Sequence, residues 1–225
     1  MADRCFLATY RPLVKSLVGR EAIRRHALLP FIDGSCRREP DFESRFPSIT
    51  ATCRAGKFAP RLRVGDRIAY LTVKGKYLGS REFGWHLVAV LRVIQHFESH
   101  NDAAAWYGQQ NQPLPSNCFV HGNPPKPFEL TNGDPPKEIK KQMTAKSDFN
   151  RAVRLWDMTY RQRVAKWPVF LATEAEFIEL NHPRQLRDVQ IREIFAGRIP
   201  STLNPPKIAC EQLERLVQLV TGRAA

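Results

Sequence analysis

Apolar and polar positions trade places in short bursts along the first part of the chain. Residues 5–10 (CFLATY) read as a strand closed by Pro12, and residues 13–29 carry Leu13, Leu17, Ile23 and Ala27 at helical spacing, interrupted at Gly19. Residues 30–47 contain three prolines and many charges and read as a long polar loop; loops of this length in a compact domain are often functional. Residues 48–53 (SITATC) alternate as a strand, and a Val64-Gly65-Asp66 turn leads into a strand over 67–73. A Gly- and Lys-rich hairpin connection follows over 74–84. Residues 85–95 (WHLVAVLRVIQ) are apolar on both faces, which predicts a strand in the middle of a sheet.

Ser99, with Asp102 three residues on, opens a helix that runs through Tyr107. A second loop spans 112–136. Phe149, Ala152, Val153, Trp156, Tyr160, Val164 and Trp167 then step by threes and fours, predicting one long helix ended by Pro168. Two strands, 169–173 and 176–180, are predicted around a tight polar turn, then a short helical or extended piece at 192–195. Pro205-Pro206 opens a last helix with Ala209, Leu213, Leu216, Val217 and Val220 on one face, stopped at Gly222. This order fits an α+β small mixed β-barrel with flanking helices better than a doubly wound sheet. The expected organisation is one domain over 1–195 with a basic helical insertion at 137–167, and a helical extension, 196–225, packed on it.

Charge changes this picture. The 225 residues hold 35 Lys and Arg against 22 Asp and Glu, a formal net charge of +13. Such an excess repels itself unless a polyanion offsets it, and nucleic acid, DNA or RNA, is the expected partner. No apolar run is long enough to span a bilayer, so no membrane partner is expected and the location is taken as cytoplasmic, nucleoid or nuclear. Five scattered cysteines, an odd number, predict no disulfide framework. Cys118-x-x-His121, with Cys36 and Cys53, has ligand-like spacing, but there is no CxxC pair, so neither a metal nor a cofactor is expected.

The phosphate-binding candidates are Arg54, Lys57, Arg61 and Arg63, which with Arg67 place five cations within 14 residues, and Arg151, Arg154 and Arg161 on the long helix, away from its apolar stripe. Reading a base also needs aromatic walls and fixed donors and acceptors. Trp85 at the start of the central strand, Tyr70 and Thr72 on its neighbour, Asn117 on a Pro-flanked loop and Cys53 are the base-pocket candidates. The chain has no nucleophile elbow, deaminase signature or phosphate-cradling glycine loop. A non-catalytic reader is therefore the leading expectation. A base-processing enzyme on the same fold and a basic protein-interaction module are the alternatives.

Four phrases in order carry a resemblance: SITATCRAGKFAPRLRVGDRIAYLTV, GWHLVAVLRVIQHFESHNDAAAWY, LPSNCFV and VFLATEAEFIEL. Together they resemble the nucleotide-modification-associated domains of the PUA-like group, alongside the EVE, YTH and ASCH domains. The resemblance covers roughly residues 1–195 in patches. It implies a PUA-like fold with its ligand at the barrel rim, and the handling or reading of modified nucleotides.

Overall fold

The computed structural model describes residues 4–77, 79–143, 148–197 and 201–222, without the Cys53 side chain. Its strands are β1 (Cys5–Tyr10), β2 (Ser48–Thr50), β3 (Arg67–Thr72), β4 (Trp85–Phe97), β5 (Phe170–Ile178), β6 (Gln185–Leu186) and β7 (Lys207–Ile208). They form a mixed sheet in the order β2-β5-β4-β3-β1-β7, with β6 beside the start of β4. β1 runs parallel to β3, while β3, β4, β5 and β2 pair antiparallel, as do β1 and β7. Among the described residues, the edge strands β2 and β7 do not pair with each other. The sheet is open, where the strand pattern had suggested a closed barrel.

Strand alternation sorts the core into two layers. Phe6, Ala8 and Tyr10 of β1 join Ile68 and Tyr70 of β3 and Val88 of β4 on one face. Cys5, Leu7, Ala69, Leu71 and Leu87 face the other way, under α5 (Asp188–Ile194) and α6 (Cys210–Thr221). The Val64-Gly65-Asp66 turn is held by the buried Asp66 carboxylate, which accepts from Arg4 Nε at 2.8 Å and from the Arg63 amide at 2.7 Å.

Several elements depart from the sequence pattern. The segment over 13–29 splits into a short 3-10 turn and α1 (Leu17–His26). Ser16 caps α1 by accepting the Gly19 amide at 2.9 Å, and the Leu13 carbonyl lies where a Cβ on Gly19 would be. The two strands expected over 169–180 are one continuous β5, which follows β4 through two register shifts, between Val90 and Leu91 and between Val93 and Gln95; bulges absorb what the pattern suggested was a turn. The strand expected over 48–53 stops at Thr50, and the chain passes into a 3-10 turn over Cys53–Gly56 in which Arg54 and Ala55 adopt left-handed backbone (φ 59° and 49°).

The loop over 30–47 is largely buried, with Glu43 and Arg45 exposed. Arg37 and Arg38 are 0% and 1% exposed. Arg37 pairs with Asp157 of α4 (Phe149–Lys166) and donates to the carbonyls of Ser116 (2.9 Å) and Asn123 (3.0 Å). Arg38 donates to the carbonyls of Asp33 (2.7 Å), Ser35 (3.1 Å) and Leu130 (2.7 Å). Burial of a guanidinium is costly unless it is paired and hydrogen-bonded; these contacts meet most of the need, and Arg37 Nη2 is left buried without a hydrogen-bond partner among the described residues.

α2 (His100–Gln109) starts at the Ser99 cap as expected, and α4 buries Ala152, Val153 and Trp156 beside the short α3 (Lys137–Lys140). The C-terminal segment is woven into the fold: β7 adds to β1, Leu213 and Leu216 are fully buried, and Cys210 forms a disulfide with Cys5 (Cα–Cα 5.3 Å). The scattered cysteines gave no sign of this pairing, which joins residues 205 positions apart. Among the described residues, no helix is long and apolar enough to cross a membrane.

Candidate functional site

A pocket of about 190 Å³ opens beyond the end of β1, with room for about six waters at roughly 30 Å³ each. Its walls come from residues remote in sequence. Alternation along β1 and β3 turns Tyr10 and Tyr70 inward, the turn after β2 supplies Phe58, and β2 supplies Ile49 and Thr50. Tyr10 and Tyr70 meet edge to face at 6.4 Å, both backed by Phe42 at 5.1 and 5.4 Å. The Tyr10 hydroxyl donates to the Phe31 carbonyl, so the ring is fixed and its phenol pKa is pushed well up by burial.

Two carboxyl groups, Asp33 and Glu39, line the same pocket, each 7% exposed. Glu39 accepts from the Thr50 amide (2.9 Å), the Thr50 hydroxyl (2.6 Å) and Asn117 Nδ2 (3.3 Å). Burial outweighs these donors and, helped by the charge of Asp33, pushes the Glu39 pKa up to about 8. Glu39 is thus mostly protonated at neutral pH. Asp33 accepts from the amide (2.8 Å) and hydroxyl (2.5 Å) of Ser35; burial raises its pKa too. Backbone strain flanks both sides of the pocket, at Arg38 (φ 37°) beside Glu39 and at Arg54 and Ala55 on the rim. Such strain gathers where a fold holds functional groups in place.

The rim is cationic. Arg54 donates to the carbonyls of Thr9 (2.6 Å), Thr202 and Leu203 (3.0 Å); these neutral acceptors position its charge without cancelling it. Arg11, also lining the pocket, is paired with Asp134. Two open grooves adjoin. One, about 480 Å³, shares Arg11 and Asp33 with the pocket and adds Lys137, Trp156, Tyr160 and Arg163. The other, about 470 Å³, shares Arg54 and adds Lys57, Trp167, Leu203 and again Arg163.

The structure brings together only part of the set expected from sequence. Tyr70 lines the pocket, Arg54 its rim, and Lys57 the neighbouring groove. Asn117 is fully buried behind the pocket, where it holds Glu39 and Ser48. Thr72 is also fully buried and accepts the His86 amide at 3.0 Å, away from the pocket. Cys53 lies in the turn beside the rim, its side chain outside the described residues. Trp85 lines neither this pocket nor the two grooves: it packs with Leu87, Leu186 and Ile191 on the opposite face of the sheet, with Lys74 Nζ 4.9 Å from its ring. The β4 alternation decides this, since Trp85 shares the face of Leu87.

Arg61 and Arg63 are exposed but line neither pocket nor grooves. On α4, Arg154 and Arg161 lie about 160–180° round the helix from Arg163, and Arg151 about 120°, at 100° per residue. Arg161 pairs with Asp157 instead. Arg163 is the α4 cation that faces the site. Sequence reasoning missed it, together with Tyr10, Arg11, Asp33, Glu39 and Phe58. One signal was present: Phe31, Ile32 and Phe42 bracket the charged run Arg37-Arg38-Glu39, an apolar frame that a solvated loop does not need. Cys118 is buried and contacts the His100 carbonyl, while His121 is exposed. Compared with known protein families, curated proteins and solved structures, the chain matches none.

Proposed function

We propose that this protein is a nucleic-acid-binding reader on a PUA-like fold, taking one base, modified or not, into the pocket beyond β1. The observation that carries this reading is the chemistry gathered in one pocket: aromatic walls (Tyr10, Phe58, Tyr70), two carboxyl groups (Asp33, Glu39) and two guanidinium groups, Arg54 and the Asp134-paired Arg11. A nucleotide offers the matching groups: a flat π-system bearing N–H groups and a phosphate. Asp33 as an acceptor and protonated Glu39 as a donor are suited to a base edge, while guanidinium groups suit phosphate. The net charge of +13 supports the same partner.

Fluorescence anisotropy with a panel of modified and unmodified oligonucleotides at two salt concentrations tests the reading. Binding should weaken steeply with salt, and replacing both Lys57 and Arg163 by Ala should lower the slope of log K against log salt by about 2, near one per lost phosphate contact. Salt-independent binding, or an unchanged slope in the double variant, would remove this face from the interface.

A further inference from the structure

We infer that the partner is a single strand of at least three nucleotides that crosses the pocket mouth from one groove to the other, not a free nucleotide; this rests on the reader proposed above. The pocket is not isolated. It shares Arg11 and Asp33 with the groove beside α3 and Arg54 with the groove beside the 53–56 turn, and Arg163 belongs to both grooves. A chain whose central base enters the pocket therefore has a depression on either side for its neighbours, one lined by Arg54, Lys57 and Arg163, the other by Arg11, Lys137 and Arg163 alongside Asp33 and Asp134.

Each depression carries a half-buried aromatic with a cation beside it. Tyr160 has the Arg163 guanidinium 5.7 Å from its ring centre, and Trp167 has Lys166 Nζ at 5.1 Å. Alternating π surfaces and cations along a groove are how proteins hold single strands, bases on the rings and phosphates on the cations. The Trp167 ring is also fixed in place: Gly56, at φ 75°, approaches so closely that a Cβ there would fall 2.4 Å from the ring. Lys57 and Lys137 extend the cationic path outward at its two ends. A mononucleotide would use the pocket alone and leave both grooves unfilled.

The test compares, in one titration series, the four deoxynucleoside 5′-monophosphates, mixed-sequence DNA and RNA trimers, and a blunt mixed-sequence DNA duplex. Trimers should bind at least tenfold tighter than any monophosphate. Tyr160→Ala and Trp167→Ala should each lower trimer affinity by about 5- to 150-fold, the usual loss of one stacked base, and lower monophosphate affinity by much less. Should either variant melt early, Lys137→Glu, an exposed charge reversal, asks the same question by weakening trimers more than monophosphates. Equal affinity for trimers and monophosphates would overturn the strand path and leave the reader standing. No binding of any probe would end the reader itself. Tighter binding of the duplex would also overturn the single strand, and would point to Leu203, 80% exposed at the groove edge, as a wedge between base steps.

Discussion

Glu39→Gln isolates the energetic consequence of burying a carboxyl group at the pocket. The folded chain holds the Glu39 pKa at about 8 against an ordinary 4.5, chiefly by burial. A raised folded pKa means that the folded state keeps its proton while the unfolded state loses it. The stability belonging to this group is thus fully present below pH 4.5 and is lost as pH rises towards 8, at about 1.4 kcal/mol per pH unit. Above pH 8 the loss levels off on the order of 5 kcal/mol. Glutamine keeps the shape and accepts the Thr50 amide, but its NH2 group faces Asn117 Nδ2 across the former 3.3 Å bond. That mismatch destabilises by about 1 kcal/mol at every pH.

The two stability curves should therefore cross. At pH 5 the wild-type chain is the more stable by up to about 1 kcal/mol; at pH 9 the variant leads by about 2–4 kcal/mol. Urea unfolding at fixed ionic strength from pH 5 to 9 measures the difference. His86 and His100, whose pKa values burial lowers to about 4, impose the opposite trend, a loss of stability as pH falls below 6.5. They are common to both chains and cancel in the comparison. A difference that stays constant within about 0.5 kcal/mol across the range would refute the reasoning.

Two further outcomes follow from the packing. Trp85→Ala should destabilise folding by about 3–5 kcal/mol, seen as a large drop in melting temperature, while any protein that remains folded keeps its oligonucleotide affinity; a normal melt with lost binding would return Trp85 to the site. Cys210→Ser opens a link across 205 residues of sequence and should lower stability by about 2–5 kcal/mol in non-reducing buffer; an unchanged unfolding midpoint, with thiol titration finding Cys5 free in the unmutated chain, would refute the bridge.

What could be read from the sequence was whatever local periodicity encodes. Phe6, Ala8 and Tyr10 alternating with Cys5 and Leu7, the α4 stripe through Ala152, Val153 and Trp156, the Ser99 cap and the Gly222 stop all lie where the pattern placed them. Each is decided by neighbours within a few positions. Trp85 was ambiguous for a physical reason: the first apolar residue of a strand suits a rim as well as a core, and only the helices laid over that face settle it. The open sheet was equally hidden, because alternation says which way a side chain points and nothing about whether two edges meet. The pocket was the least legible part. Arg37 finds Asp157 120 positions away and Glu39 finds Asn117 78 positions away, so no local window shows that these charges are buried.

Those distant partners also explain how a loop can hold a binding site. A pocket built on mobile backbone would lose part of its binding energy to ordering. Here Glu39 directly follows two buried guanidinium groups that between them tie the loop to the carbonyls of Ser35, Ser116, Asn123 and Leu130 and to Asp157 of α4. Arg38 also donates to the carbonyl of Asp33, the residue bearing the second carboxyl group. The two acids are therefore fixed from the backbone side while their side chains face the cavity. On the far wall, the carbonyls of Thr9, Thr202 and Leu203 fix Arg54 in the same manner. Burying charge is unfavourable unless it is paired and hydrogen-bonded; Arg37 Nη2 is left without a hydrogen-bond partner among the described residues, but the groups that meet the other donors of this loop are the ones that set the geometry of the pocket.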